Sequence, residues 1–236
     1  MWLVNYDNTL EDTYRPAKLE YLSGFPIRPE AGAAFNRMRE DMQKAGIKNL
    51  RLQSAYRPYG YQYALFEHKL KYWQNLGHEE SVAQVLAARS VAKAGASEHQ
   101  TGLAVDVSLN GKLSVHFGST EAGIWLQNNC SRYGFIVRYP PEKTAITRIM
   151  YEPWHLRYVG VPHAQYMYDH NMCLEEYVEH VKNSEILLYW VDEKVYYKVS
   201  FILQPDEDSE AAYDISSVRP GGAGGYIVTE LKNFVR

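Results

Sequence analysis

Ser97-Glu98-His99-Gln100-Thr101-Gly102-Leu103-Ala104-Val105-Asp106 joins a polar loop to an apolar alternation that continues through Val107 and Leu109. Leu103, Val105, Val107 and Leu109 fall on one side of a strand of period two, leaving Ala104, Asp106 and Ser108 on the other. Asp106 therefore projects away from the apolar row. Gly102 permits a tight turn between His99 and the strand, so one short unit can bring an imidazole and a carboxylate to a common point. Further along, Glu152-Pro153-Trp154-His155 offers a second imidazole with a carboxylate close by. Pro153 stiffens that spacing, and Trp154 can pack inward to fix it.

Two histidines and an aspartate can give a divalent zinc ion three protein ligands and leave its fourth position for water, whose proton a neighbouring glutamate can take. That combination implies hydrolysis. A single histidine is more often a packed or surface group than a ligand. The spacing alone leaves a metal site and a coincidence of polar residues both open, and it names no substrate. It does exclude the helical zinc-protease pattern, because His78-Glu79 is followed four positions after the histidine by Val82.

A chain of 236 residues with 46% hydrophobic content and a net charge of −3 has enough apolar material for a buried core and a small appendage. It lacks the overall basic field of a nucleic-acid binder, so no nucleic-acid partner is expected. No apolar run is long enough to span a bilayer. Met1-Trp2-Leu3-Val4-Asn5-Tyr6-Asp7 has neither the charged nor the apolar region of a signal peptide. The chain as given therefore reads as cytoplasmic, with an extracytoplasmic, anchored enzyme as the alternative if the natural start lies upstream. Cys130 and Cys173 are too few for a disulfide framework and read as buried thiols.

Helical spacing of Phe35, Met38 and Met42 predicts a helix over Glu30 to Ala45, and Leu50 and Leu52 predict a strand delivering Ser54-Ala55-Tyr56-Arg57 to its end. Helices fit Tyr61 to Leu76 and Glu79 to Lys93, the second through Val82, Val85, Leu86 and Arg89. Asn110-Gly111 is a turn, and Ser119 is the expected cap of a helix running to Gly134. Strands are predicted at Phe135 to Tyr139 and Ile146 to Met150. Pro162 opens helical segments through Met167 and then Leu174, Tyr177, Val178 and Val181. From Glu185 the texture turns to short strands rich in tyrosine, valine and isoleucine, interrupted by the acidic stretch Pro205 to Glu210, which reads as a solvated turn.

SEHQTGLAVDV with EPWHLRYVG resembles the zinc D-alanyl-D-alanine carboxypeptidases of the VanY type and the related D-alanyl-D-alanine dipeptidases, whose pattern is SxHxxGxAxD followed by ExxH. Ser97, His99, Gly102, Ala104, Asp106, Glu152 and His155 match it. The similarity extends to Ser54-Ala55-Tyr56-Arg57, to Gln62, and to Tyr133 through Pro140, and it spans most of the first 182 residues. The resemblance implies zinc held by His99, Asp106 and His155, with Glu152 as general base. Arg57 would face the substrate carbonyl, while Ser97 and Gln62 would bind the terminal carboxylate or last peptide group. Tyr56, Tyr139 and Trp154 read as pocket walls.

The expected fold is α+β, a small central antiparallel sheet flanked by helices with the zinc site at the sheet. Residues 1–182 form the catalytic domain, and 185–236 form a β-rich C-terminal extension. The implied substrate is a peptidoglycan stem peptide or its precursor ending in D-Ala-D-Ala, a chemistry that also serves glycopeptide resistance. A D,D-dipeptidase, a bifunctional dipeptidase and carboxypeptidase, an L,D-carboxypeptidase and a zinc-bearing wall-binding module without turnover are the alternatives. Glu152 weighs against the last, since a binding module needs no base there.

Overall fold

The computed structural model describes residues 3–184, 187–191, 195–203, 214–218 and 225–233. Its elements begin with β1 (Glu20–Leu22), β2 (Phe25–Ile27), α1 (Pro29–Lys44), β3 (Arg51–Ser54), α2 (Tyr59–Asn75) and α3 (Glu80–Ala88). They continue with β4 (Ala104–Ser108), α4 (Glu121–Asn129), β5 (Phe135–Tyr139), α5 (Thr144–Thr147), β6 (Glu152–Tyr158), α6 (Val161–Asp169) and α7 (Leu174–Asn183). β7 (Leu187–Trp190), β8 (Val195–Ile202), β9 (Asp214–Val218) and β10 (Gly225–Asn233) complete the chain. Contacts group these into two compact units, one from Val4 to Gln165 and one from Tyr166 onward together with Leu3. The acidic stretch Pro205 to Glu210 lies outside the described residues.

In the Val4–Gln165 unit, an antiparallel sheet of order β3-β4-β6-β5 has one apolar and one polar face. Leu52, Val105, Val107, Phe135 and Leu156 supply the apolar face, packed with Phe35, Met38 and Met42 of α1 and with Leu126 of α4. Helix α1 forms because those residues, with Ala31 and Ala34, recur on one side of a 3.6-residue period, and Pro29 sits where its missing N–H costs nothing. The sheet's other face carries Asp106, Arg138, His155 and Arg157, all buried. It is the face that builds the site.

In the second unit α7 buries Leu174, Tyr177, Val178 and Val181, and β7-β8-β10-β9 form a second antiparallel sheet with Val199, Ile227 and Val228 inside. Both cysteines are buried free thiols. Among the described residues no helix is long and apolar enough to cross a membrane.

Local expectations give way at three places. Helix α3 stops at Ala88 and buries Ala83 and Ala87 against Phe66 and Leu70, leaving Val82 and Val85 45% and 61% exposed. Small side chains let two helices approach closely, which the branched valines would prevent. The strand expected at Ile146 to Met150 is instead the end of α5, closed by Arg148 in the left-handed region at φ 61°. A short apolar run does not distinguish the two periods. Helix α4 is capped by Thr120, whose Oγ1 accepts from Gly123 N at 3.1 Å, while the Ser119 hydroxyl donates to His116 O. The strand β6 itself, which carries Glu152 and His155, and the β1-β2 hairpin are additions the sequence pattern did not mark.

Candidate metal centre

Asp106 and His155 are direct cross-strand partners on β4 and β6, so their side chains leave the sheet on the same face. His99 reaches them from a 3₁₀ turn, Glu98–Thr101, that ends at Gly102 with φ 72°. Arg28 N donates to Gly102 O at 3.0 Å and Arg57 N to His99 O at 3.1 Å, pinning the turn from two sides. His99 Nε2 lies 3.2 Å from Asp106 Oδ2, and His155 Nδ1 lies 3.1 Å from Asp106 Oδ1. One ligand atom from each of the three falls within 4.8 Å of the others, and all three residues are buried.

His99 Nδ1 is 2.6 Å from Ala55 O, which can only accept, so that nitrogen carries the proton and Nε2 presents its lone pair to the cluster. His99 Nε2 is buried without a hydrogen-bond partner. A buried acceptor of this kind beside a carboxylate and a second imidazole fits a divalent cation with nitrogen and oxygen ligands, zinc foremost.

Glu152, at the start of β6, places Oε2 3.9 Å from His155 Nδ1. Burial pushes its carboxyl up to about 8, with Asp106 adding to the rise and His155 and Arg57 opposing it. Burial also lowers His99 to about 4, with the Arg57 charge acting the same way. Burial disfavours the charged form of His155 too, but its contact with Asp106 and the nearby Glu98 carboxylate outweigh it and raise the group to about 9. Asp106 is held well below the carboxylate range against its own desolvation, by His99, His155 and Arg57.

Arg57 follows β3, and its Nη2 donates to Asp106 Oδ2 at 2.9 Å while Nη1 donates to Gln62 Oε1 at 2.8 Å. Gln62 in turn donates to Ala92 O at 2.7 Å, so its amide orients Arg57 from a buried seat on α2. Ser97 is buried at the entrance to the His99 turn. A cavity of about 520 Å³ is lined by Arg57, Gln62, Ser97, His99, Asp106, Glu152 and His155, with Tyr56, Tyr139 and Trp154 among its walls. Every residue expected at the site thus borders one space.

A buried group that sequence reasoning left without a role adjoins the site. Glu98 is fully enclosed, with Oε1 accepting from Arg138 Nε at 2.8 Å and ion-paired with Arg157 Nη1 at 2.9 Å. Desolvation would raise its carboxyl, yet the two arginine charges keep it well below the usual range. The available signal was Arg157 itself, a charge two residues beyond His155 and therefore on the same face of a strand.

A family model described as VanY, D-alanyl-D-alanine carboxypeptidase, matches residues 25–161. The putative carboxypeptidase YodJ of Bacillus subtilis (strain 168) is 41% identical over 193 residues, spanning 76% of this chain and 67% of that protein. A solved variant of the vancomycin-resistance D,D-pentapeptidase VanY, in complex with Zn(II), is 37% identical with a TM-score of 0.67, covering 75% of this chain and 97% of its own. The LD-carboxypeptidase LdcB is 39% identical with a TM-score of 0.67, covering 76% and 86%.

Proposed function

The chain belongs to the VanY family of D-alanyl-D-alanine carboxypeptidases, and on that basis we propose that it removes the C-terminal D-alanine from peptidoglycan stem peptides, or their precursors, ending in D-Ala-D-Ala. The observation that supports this most is the convergence of His99, Asp106 and His155 within 4.8 Å in a cavity that Glu152 and Arg57 also line. We assign catalysis to residues 1–182 and assign no role to 185–236. His99 Nε2, an Asp106 oxygen and His155 Nδ1 would hold the metal. When bound, the zinc ion supplies Lewis acidity, lowering the pKa of water toward neutrality and polarising the scissile carbonyl.

The chain's own groups account for the rest. Glu152 takes the proton of the attacking water and later hands it to the leaving D-alanine amine, a double duty that suits a carboxyl tuned toward neutral pH. Arg57, held by Gln62, donates to the carbonyl oxygen as negative charge develops there. The Ser97 hydroxyl and the Gln62 amide bind the terminal carboxylate or the last peptide group. Tyr56, Tyr139 and Trp154 wall off the space around the reacting bond.

The test is the purified, zinc-loaded protein offered D-Ala-D-Ala, a pentapeptide precursor ending in D-Ala-D-Ala, and a tetrapeptide, with released D-alanine quantified. Fastest release from the pentapeptide is expected. Release from the dipeptide alone, or from the tetrapeptide alone, would replace this substrate with that of a dipeptidase or an L,D-carboxypeptidase.

A further inference from the structure

A metal-ligating imidazole uses one ring nitrogen for the metal and is aimed by what the other nitrogen touches. His99 is aimed by a backbone carbonyl, through Nδ1 and Ala55 O at 2.6 Å. His155 turns Nδ1 toward Asp106, so Nε2 points the opposite way, into the interior behind the site. There it meets Glu98 Oε2 at 3.6 Å. Both of these atoms are buried and neither has a hydrogen-bond partner. A closer approach by roughly half an ångström joins them in a hydrogen bond.

Glu98 is built to stay where it is. Its other oxygen is fixed by Arg138 from β5 and Arg157 from β6, at 2.8 and 2.9 Å, and all three side chains are sealed from solvent. The carboxylate begins the same 3₁₀ turn that carries His99, so one turn controls one ligand directly and addresses the other from behind. An ionised carboxylate in so dry a place persists only with compensating cations, which the two arginines supply.

We infer that Glu98, locked by Arg138 and Arg157, is a positioning residue that accepts the Nε2 proton of His155 and so commits Nδ1 to the metal. The inference rests on the reading of His99, Asp106 and His155 as zinc ligands. The bland alternative is that Glu98 serves only as counterion to the two arginines.

The first test needs no variant. Proton-nitrogen NMR of zinc-loaded protein carrying ¹⁵N-labelled histidine should show His155 protonated at Nε2, with a slowly exchanging proton. A His155 protonated at Nδ1 overturns the inference, whereas a wild-type protein that takes up no zinc overturns the ligand assignment beneath it. The second test measures zinc affinity by chelator competition in Glu98→Gln, which keeps the reach but not the charge, and Glu98→Asp, which keeps the charge but not the reach. Each variant, judged folded by circular dichroism, should bind zinc about 10- to 100-fold more weakly, and its cobalt-substituted form should show a shifted visible spectrum. Wild-type zinc affinity in a folded Glu98→Asp protein would leave Glu98 a counterion alone. If neither variant folds, the wild-type tautomer decides.

Discussion

Glu152 and Asp106 sit within one site yet make opposite demands on it. Glu152→Ala should retain zinc while D-alanine release falls by about 10²- to 10⁴-fold; undiminished release would remove Glu152 from the mechanism. Asp106→Ala should lose zinc on dialysis, and an unchanged metal content would contradict the ligand set. The proton inventory gives a further expectation. In metal-free protein His155 stays charged up to about pH 9 and Glu152 stays neutral up to about pH 8. Each has a folded-state value above its ordinary one, so the stability that each contributes is lost as pH rises through the folded value. Thermal midpoints of chelator-treated protein should therefore fall from pH 6.5 to 9. Zinc uptake at pH 7 must displace the His155 proton, so titration calorimetry in buffers of unequal ionisation enthalpy should register proton release, and affinity should rise with pH. A buffer-independent heat would refute this. At this scale the short motifs that carry the family resemblance named residues that line one cavity. They gave Glu98 no role, because its partners Arg138 and Arg157 come from two separate strands.

Gly102 shows how an element carries the site. Its φ of 72° disfavours any side chain, and Leu19 Cδ2 and Arg28 Cγ, 3.0 and 3.1 Å from where a Cβ would stand, would have to give way to one. Gly111, at φ 84°, has open space instead. Gly102→Ala should cost more than the roughly 1–2 kcal/mol of the left-handed conformation and should weaken zinc binding, whereas Gly111→Ala should show only the conformational cost. Chemical denaturation and zinc titration of both variants check this, and equal effects would detach the turn from the site. Elements with a sustained apolar period, α1, β4 and α7, were legible along the chain. β6 was not, although Trp154, Leu156 and Tyr158 alternate with His155 and Arg157, because Pro153 near its start argues against a strand interior. Nor was the buried face of α3, which is chosen by its neighbour and not by its own hydrophobicity.

For the Val4–Gln165 unit as a whole, the ligands come from a turn and two strands far apart in sequence, so a metal bound to all three favours the folded state over any opened one. Zinc at one hundred times its dissociation constant should stabilise by about 2.7 kcal/mol, and a melting midpoint unmoved by excess zinc or by chelator would show that the fold holds no metal. The class of this unit, helices around a small antiparallel sheet, was expected from the periodic segments together with the family resemblance. The sheet order β3-β4-β6-β5 did not, because pairing between distant strands leaves no local signature.

That pairing has a consequence for how the chain matures. Asp106 opposes His155, with Val105 opposite Leu156 next to it. A slip of one residue between β4 and β6 would set a valine against the histidine and turn the carboxylate toward the hydrocarbon interior. Such a molecule has no place for a divalent ion. A divalent ion held by these residues would therefore favour only the correctly aligned pairing of the two strands.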